Sequence, residues 1–322
     1  MLRWLSSAVV VSLAVGAPVN AQQGEGVRTQ ALVTVVGKSP APTGASDVMV
    51  TVAGHKQPLS AWAPVAPANA QVALLIDDGL RESIGRNLSD IQNFLKGLPQ
   101  GMEVLIGYMQ NGTVMVTQPF TTDHESAAAS IRLPQGIPGE SASPYFCLSD
   151  FVKKWPGADQ VDPNAPSGLQ GTGSAPHGKA RFVMMITNGV DPYNGSTSVM
   201  NQDSPYVNQA ITDSQRAGVA VYSIYFTDAG IRGGSANMSG QSYLEQVTQA
   251  TGGRNYYEGI GNLVDMAPFL KEFVGTLGRT YVATFEAPPG KNDRDLVQFK
   301  IASSVKRSKL RGPQEVLPGN AE

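Results

Sequence analysis

The chain has 322 residues, with 24 Lys and Arg against 26 Asp and Glu for a formal charge of -2, and 41% of its residues are hydrophobic. That near-neutral balance excludes a nucleic-acid surface, which needs clustered cations to displace counterions from phosphate. The single cysteine, Cys147, excludes an internal disulfide framework, so the fold must rest on its apolar core.

Residues 1–21 read as an export signal: Arg3 supplies the positive start, an apolar run follows at 8–15, and small residues end in Val19-Asn20-Ala21. Cleavage near Ala21 would send a bacterial chain to the periplasm or the medium. The apolar run is shorter than the ~20 residues that cross a bilayer, so no transmembrane segment is expected. In the leading β segment, 22–69, residues 31–36 and 48–52 are rich in β-branched side chains, and a Pro/Gly/Ser turn region lies between them. Residues 55–67 read as a connection that carries the chain into an alternation of strands and helices.

From 71 to 76 the chain is nearly all apolar, as a strand buried on both faces requires, and the run ends in Asp77-Asp78. A helix is predicted over 83–97, with Ile84, Leu88, Ile91, Phe94 and Leu95 on one stripe. The strand at 102–109 meets Asn111-Gly112, a strong hairpin signal that should return the chain antiparallel over 113–117. Helical patterns follow at 122–131 and 144–155, and then a Gly/Pro/Ser/Asn excursion from Pro156 to Lys179. Strand and helix then alternate: strand 180–187, helix 206–217, strand 219–226, a Gly/Ser loop at 230–240, helix 243–250, strand 254–258 and helix 263–277. Strand character returns at 281–285 and 296–301 in the trailing segment, 281–322.

This order describes an α/β fold, a doubly wound, mostly parallel six-stranded sheet with one antiparallel edge strand. The β pieces at the two ends are most simply satisfied by pairing into a small sheet beside it.

The opening Val72-Ala73-Leu74-Leu75-Ile76-Asp77 resembles the first strand of the von Willebrand factor A domain and its metal-site aspartate. Residues Phe182 to Asp191 resemble that family's fourth strand and its Thr-Asp-Gly turn. Val219, Tyr222, Ile224 and Tyr225 are similar to the next strand, and Thr251-Gly252-Gly253 to the glycine-rich approach to the last one. The resemblance spans 70–280. With the leader and the flanking β segments, the arrangement is most similar to the exported A-domain proteins described from Acidobacteria.

The resemblance implies a ligand-binding crevice at the carboxyl ends of the strands. In the family it carries a metal-ion-dependent adhesion site, made of an Asp-x-Ser-x-Ser turn, a Thr from a second loop and a further Asp. There a hard divalent cation gathers about six oxygens and leaves one position for a carboxylate of the partner. Here the turn reads Asp77-Asp78-Gly79-Leu80-Arg81, with neither hydroxyl and with a guanidinium in place of the second. The threonine position falls in 139–143, where Ser141 or Ser143 substitutes, and Asn188 replaces the last aspartate. The expectation is therefore a degenerate site, without a bound cofactor and with at most weak Mg²⁺ or Mn²⁺ binding. It would recognise a protein partner through Asp77, Asp78, Gly79, Arg81, Ser141, Ser143, Asn188 and Asp191. Asp77 and Asp78 should point apart, one of them pairing with Arg81. The alternative is a structural subunit of a larger envelope complex.

The chain reads as non-enzymatic, with an unrecognised hydrolase as the remaining alternative. The stretch Gly173 to Ala180 nearly spells a phosphate-binding loop, but Ala180 lacks the hydroxyl that would hold Mg²⁺ and the segment leads into a strand. The three histidines, His55, His124 and His177, stand beside no nucleophile elbow.

Overall fold

The computed structural model describes residues 26–80, 82–136, 143–156, 179–191, 204–227, 233–259 and 263–321. The proposed leader, Arg81, Ser141, His177 and nearly all of the 156–179 excursion lie outside them. The chain begins with β1 (Val27–Val35), β2 (Val48–Val52), β3 (His55–Gln57) and β4 (Leu59–Pro64) before β5 (Ala70–Asp77), the first strand of the central sheet. A 3-10 segment (Glu82–Asn87) leads into α1 (Leu88–Lys96), then β6 (Glu103–Gln110), β7 (Thr113–Thr121), α2 (His124–Ala129) and α3 (Pro144–Lys153). Next come β8 (Ala180–Thr187), α4 (Pro205–Arg216), β9 (Val219–Tyr225), α5 (Gly233–Ala250), β10 (Asn255–Tyr256) and α6 (Ala267–Leu277). The return is β11 (Thr280–Ala287), β12 (Val297–Ser303), β13 (Leu310–Arg311) and β14 (Glu315–Val316).

The central sheet has six strands in the order β10-β9-β8-β5-β6-β7. All pairings are parallel except β6 with β7. Every residue of β5, β8 and β9 is buried, which is why these stretches are continuously apolar rather than alternating. Successive side chains of β5 serve opposite cores. Val72, Leu74 and Ile76 pack with Ile91 and Phe94 of α1 and Leu270 and Phe273 of α6. Ala73 and Leu75 pack with Leu148 and Phe151 of α3, Val207 of α4 and Val247 of α5. Asn111 and Gly112 both adopt positive φ, 50° and 80°, the type I′ geometry that turns β6 into β7.

The terminal segments pair as expected but make two four-stranded sheets, β13-β1-β11-β4 and β14-β12-β2-β3, where the sequence suggested one. They close on a core of their own, in which Val33, Val50 and Val52 surround Phe285 and Phe299, whose rings stack at 5.2 Å. The second sheet takes in residues 55–57 and the first takes in 59–64. Residues 55–67 are therefore strand as well as connection, in pieces too short and too half-exposed to show a period. The other difference is at 233–240, whose composition suggests a loop and which here is the start of α5. Its glycine serves packing, because a Cβ at Gly240 would lie 2.3 Å from the Asn188 carbonyl oxygen.

Both crossings between the two parts, β4 to β5 and α6 to β11, lie at the amino end of the parallel strands. Buried hydroxyls join the two parts there: Thr34 Oγ1 sits 3.3 Å from Tyr222 Oη and 3.0 Å from Thr280 Oγ1. Arg311 donates to the Gly253 carbonyl at 3.1 Å. The carboxyl ends of the strands are left for the loops. No helix among the described residues is long and apolar enough to cross a membrane.

Leu74 is fully buried in the middle of β5. Leu74→Ala should lower the unfolding free energy in urea by about 2–5 kcal/mol through lost burial and a residual cavity. The exposed Met49→Ala should change it by less than about 0.5 kcal/mol.

Candidate functional site

At the carboxyl end of β5 the two adjacent carboxylates point apart, and both are engaged. Asp77 turns toward β8, where Thr187 Oγ1 donates to its Oδ2 at 2.7 Å. The Gly79 backbone N–H donates to its Oδ1 at 2.9 Å. The same Thr187 hydroxyl accepts from the Gly189 N–H at 3.1 Å, so one side chain ties the ends of two neighbouring strands and shapes the turn after β8.

Asp78 turns the other way and is held by Arg132, whose two terminal nitrogens donate at 2.7 and 3.3 Å. The Gln135 N–H adds a third bond at 3.0 Å. Arg132 is itself braced, with its guanidinium 3.7 Å above the Tyr108 ring. The Tyr108 hydroxyl accepts from the Arg132 N–H and donates to the Arg132 carbonyl, both at 2.8 Å. The cation expected to pair with an aspartate was Arg81, which lies outside the described residues. Arg132 fills that role for Asp78, from 54 positions away in sequence.

The remaining described members of the expected set are tied into the scaffold. Ser143 is fully buried and caps α3, its hydroxyl accepting from the Tyr145 N–H at 3.3 Å. Asn188 folds its carboxamide oxygen back onto the Val190 N–H at 2.9 Å. Asp191 accepts from Ser204 Oγ at 2.9 Å, and Ser204 caps α4. Beneath them Tyr145 donates to the Gly189 carbonyl at 2.7 Å. Burial, with the nearby Asp191, Tyr243 and Asp77, holds the Tyr145 phenol far above its ordinary pKa, so it stays a donor.

Asp77, Asp78, Gly79, Ser143 and Asp191 are all buried, and Asn188 is half-exposed. The structure thus gathers the described part of the expected set at one end of the sheet but under the surface. Each oxygen of Asp77 already takes an N–H or O–H, and Asp78 is paired with a guanidinium. Among the described residues no three His, Cys, Asp or Glu side chains converge as metal ligands.

Sequence reasoning left Thr187, Arg132 and Tyr145 out of the site. Thr187 had a signal, since it stands at a strand end directly before Asn188-Gly189. Arg132 had none, because its partner is set by tertiary approach. Cys147 packs in the core, and burial pushes its thiol up to about 12, so it stays protonated at neutral pH. His124 bonds the Met102 carbonyl at 2.8 Å, and His55 is exposed on β3.

The strand order, the lone antiparallel hairpin after the second strand, and an aspartate at the end of the first strand facing a Thr-Asn-Gly turn at the fourth together decide the fold. The α/β part has the von Willebrand factor A-like fold. No family model matches the sequence, and no curated protein is a significant match to it. Solved structures similar to this chain include a von Willebrand factor type A protein from Catenulispora acidiphila, at 11% identity over 92% of this chain and 75% of that one, TM-score 0.42. The manganese-loaded TRAP protein of Plasmodium vivax is similar at 12% identity over 76% of this chain and 82% of that one, TM-score 0.39. The pilus adhesin SpaC of Lactobacillus rhamnosus GG is similar at 8% identity, covering 88% of this chain and 47% of its own, TM-score 0.41. The von Willebrand factor A-like assignment rests on the topology and not on these distant superpositions.

Asp78 is almost fully buried and Arg132 partly so. Arg132→Met should therefore cost about 3 kcal/mol in urea unfolding, because it leaves a buried carboxylate without its cation. Adding Asp78→Asn to that variant should recover part of the loss.

Proposed function

We propose that this chain is an exported, non-enzymatic binding module that holds a protein partner through the rim of the carboxyl-end face, independently of a metal ion. The observation that carries the reading is where apolar surface remains uncovered. The exposed large hydrophobic residues among the described ones are Met49, Met115, Val116, Leu133, Met238, Tyr257 and Val264. Leu133, Met238, Tyr257 and Val264 lie on loops or helix starts at the carboxyl ends of the strands. Met115 and Val116 lie on β7 close to the hairpin at that same end, and only Met49 belongs to the terminal sheets. Val264 is 82% exposed, on a loop tied to the start of α1 by a bond from Asn87 Nδ2 to its carbonyl at 3.2 Å. Leu133 lies against Gly85 of the 3-10 segment that comes after Asp77.

Apolar side chains displayed around one face favour association by burial against a complementary surface. The carboxylates beneath work differently from an adhesion-site set: they hold the loops in place and leave recognition to the rim. A rim on a scaffold held by buried hydrogen bonds loses little conformational entropy on docking, which favours affinity without new contacts.

The test is capture of partners from the native envelope fraction by the tagged chain, with and without chelator. Tyr257→Asp and Val264→Asp should each reduce recovery of the bound protein at least tenfold. Met49→Asp and chelator should leave it unchanged. Loss of capture on chelation would contradict metal independence. Loss with Met49→Asp but not with the rim variants would transfer the interaction to the terminal sheets, as a structural subunit would require.

A further inference from the structure

We infer that the cleft between the amino end of the central sheet and the terminal sheets binds a small aliphatic carboxylate. The cleft encloses about 280 Å³ and lies at the opposite end of the molecule from the rim. It is lined by the first residues of β8 and β9 and the end of α4 on one side, and by β1, β11 and the last residues of the chain on the other. Among the described residues that line it, the charged ones are all cations: Arg28, Lys179, Arg181 and Arg216. The acids that offset these cations stand outside the lining: Glu103 is 2.5 Å from Lys179, and Asp213 is 3.7 Å from Arg216.

The rest of the wall is mainly apolar, with Leu32, Val219, Val282 and Leu317 among its side chains, beside the neutral polar Gln30, Gln215, Thr251 and Asn320. A cationic border over an apolar floor selects a ligand with one anionic head and a hydrocarbon body. The volume, at the low end of ligand pockets, sets a short chain. Helix α4 presents its carboxyl end, Gln215 to Ala217, to the cleft. The negative end of a helix dipole works against any anion, but against a doubly charged phosphate more than a singly charged carboxylate, so of the two heads the carboxylate is the better fit. Arg181 lies under 2% exposed, its guanidinium 5.2 Å from the Trp155 ring, and burial lowers its pKa to about 10, still charged at neutral pH.

The far wall is built to stay in place. Asn320 closes two bonds on the outer edge of β1, accepting from the Gln30 N–H at 2.7 Å and donating to the Gln30 carbonyl at 3.0 Å. This fixes the neighbouring Leu317 and Ala321 against the opening. No part of the inference depends on the rim or on its partner.

The probe is octanoate, titrated calorimetrically into the full chain beside octan-1-ol and octyltrimethylammonium. Octanoate should bind with one site per chain, the alcohol at least tenfold more weakly, and the cation not at all. Arg28 is exposed and Ala321 half-exposed, so Arg28→Glu and Ala321→Trp should leave the ligand-free melting temperature unchanged. Each should weaken octanoate at least tenfold, the first by charge and the second by filling the opening. Equal binding of octanoate and octanol would overturn the inference, as would absence of octanoate binding, or octanoate affinity unchanged in both variants.

Discussion

The bond between Asp77 and Thr187 governs the character of the whole carboxyl-end face. A carboxylate left unsatisfied in that position, 3% exposed between two parallel strands, would be costly to bury. It can be stabilised by a cation or by hydrogen-bond donors. This chain uses donors, with the threonine hydroxyl on one oxygen and the Gly79 N–H on the other. Once those are made, Thr187 orients the Gly189 amide, Tyr145 holds the Gly189 carbonyl, and the close approach of Gly189 and Gly240 seats the start of α5. The described strand ends are thereby tied together by the protein's own polar groups.

The same logic extends to Asp78, where a guanidinium supplies the positive charge. Arg132 satisfies the carboxylate, stacks on Tyr108 and fixes the 132–136 segment, whose Gly136 N–H bonds the Asp78 carbonyl at 2.8 Å. Such a network is stiff because few of its members can leave without exposing another. In the binding reading proposed above, partner contact falls to the side chains standing outside it. The terminal sheets join the α/β part at the other end, since both chain crossings lie at the amino end of the parallel strands.

Much of this architecture was legible in the sequence, for a physical reason in each case. A strand buried on both faces must be apolar throughout, which exposes 71–76, 180–187 and 219–226 to inspection. The Asn-Gly pair marks its own turn because positive φ at two successive residues is strained for almost anything else. The run after Asp77, without hydroxyls, and Asn188 after the fourth strand mark where the chain departs from the adhesion-site pattern. What stayed hidden depends on distance or on compensation between signals. Arg132 carries no spacing relation to Asp78. The glycines near the start of α5 look like loop composition until Gly240 is seen against Asn188. Strands β3 and β4 are short and half-exposed, so no alternation distinguishes them. That the site residues would be buried could not be read from residue type, because the polar side chains that line a crevice are the same ones that brace it.

The most direct measurement is titration of Mn²⁺ into the full chain, monitored by electron paramagnetic resonance of the free ion at neutral pH and moderate salt. The hydrogen-bonded arrangement of Asp77 predicts that the free-ion signal tracks added Mn²⁺ to millimolar concentration, equally for the native chain and for Asp77→Asn. Stoichiometric loss of signal at micromolar Mn²⁺, abolished by Asp77→Asn, would contradict it and make Asp77 a metal ligand.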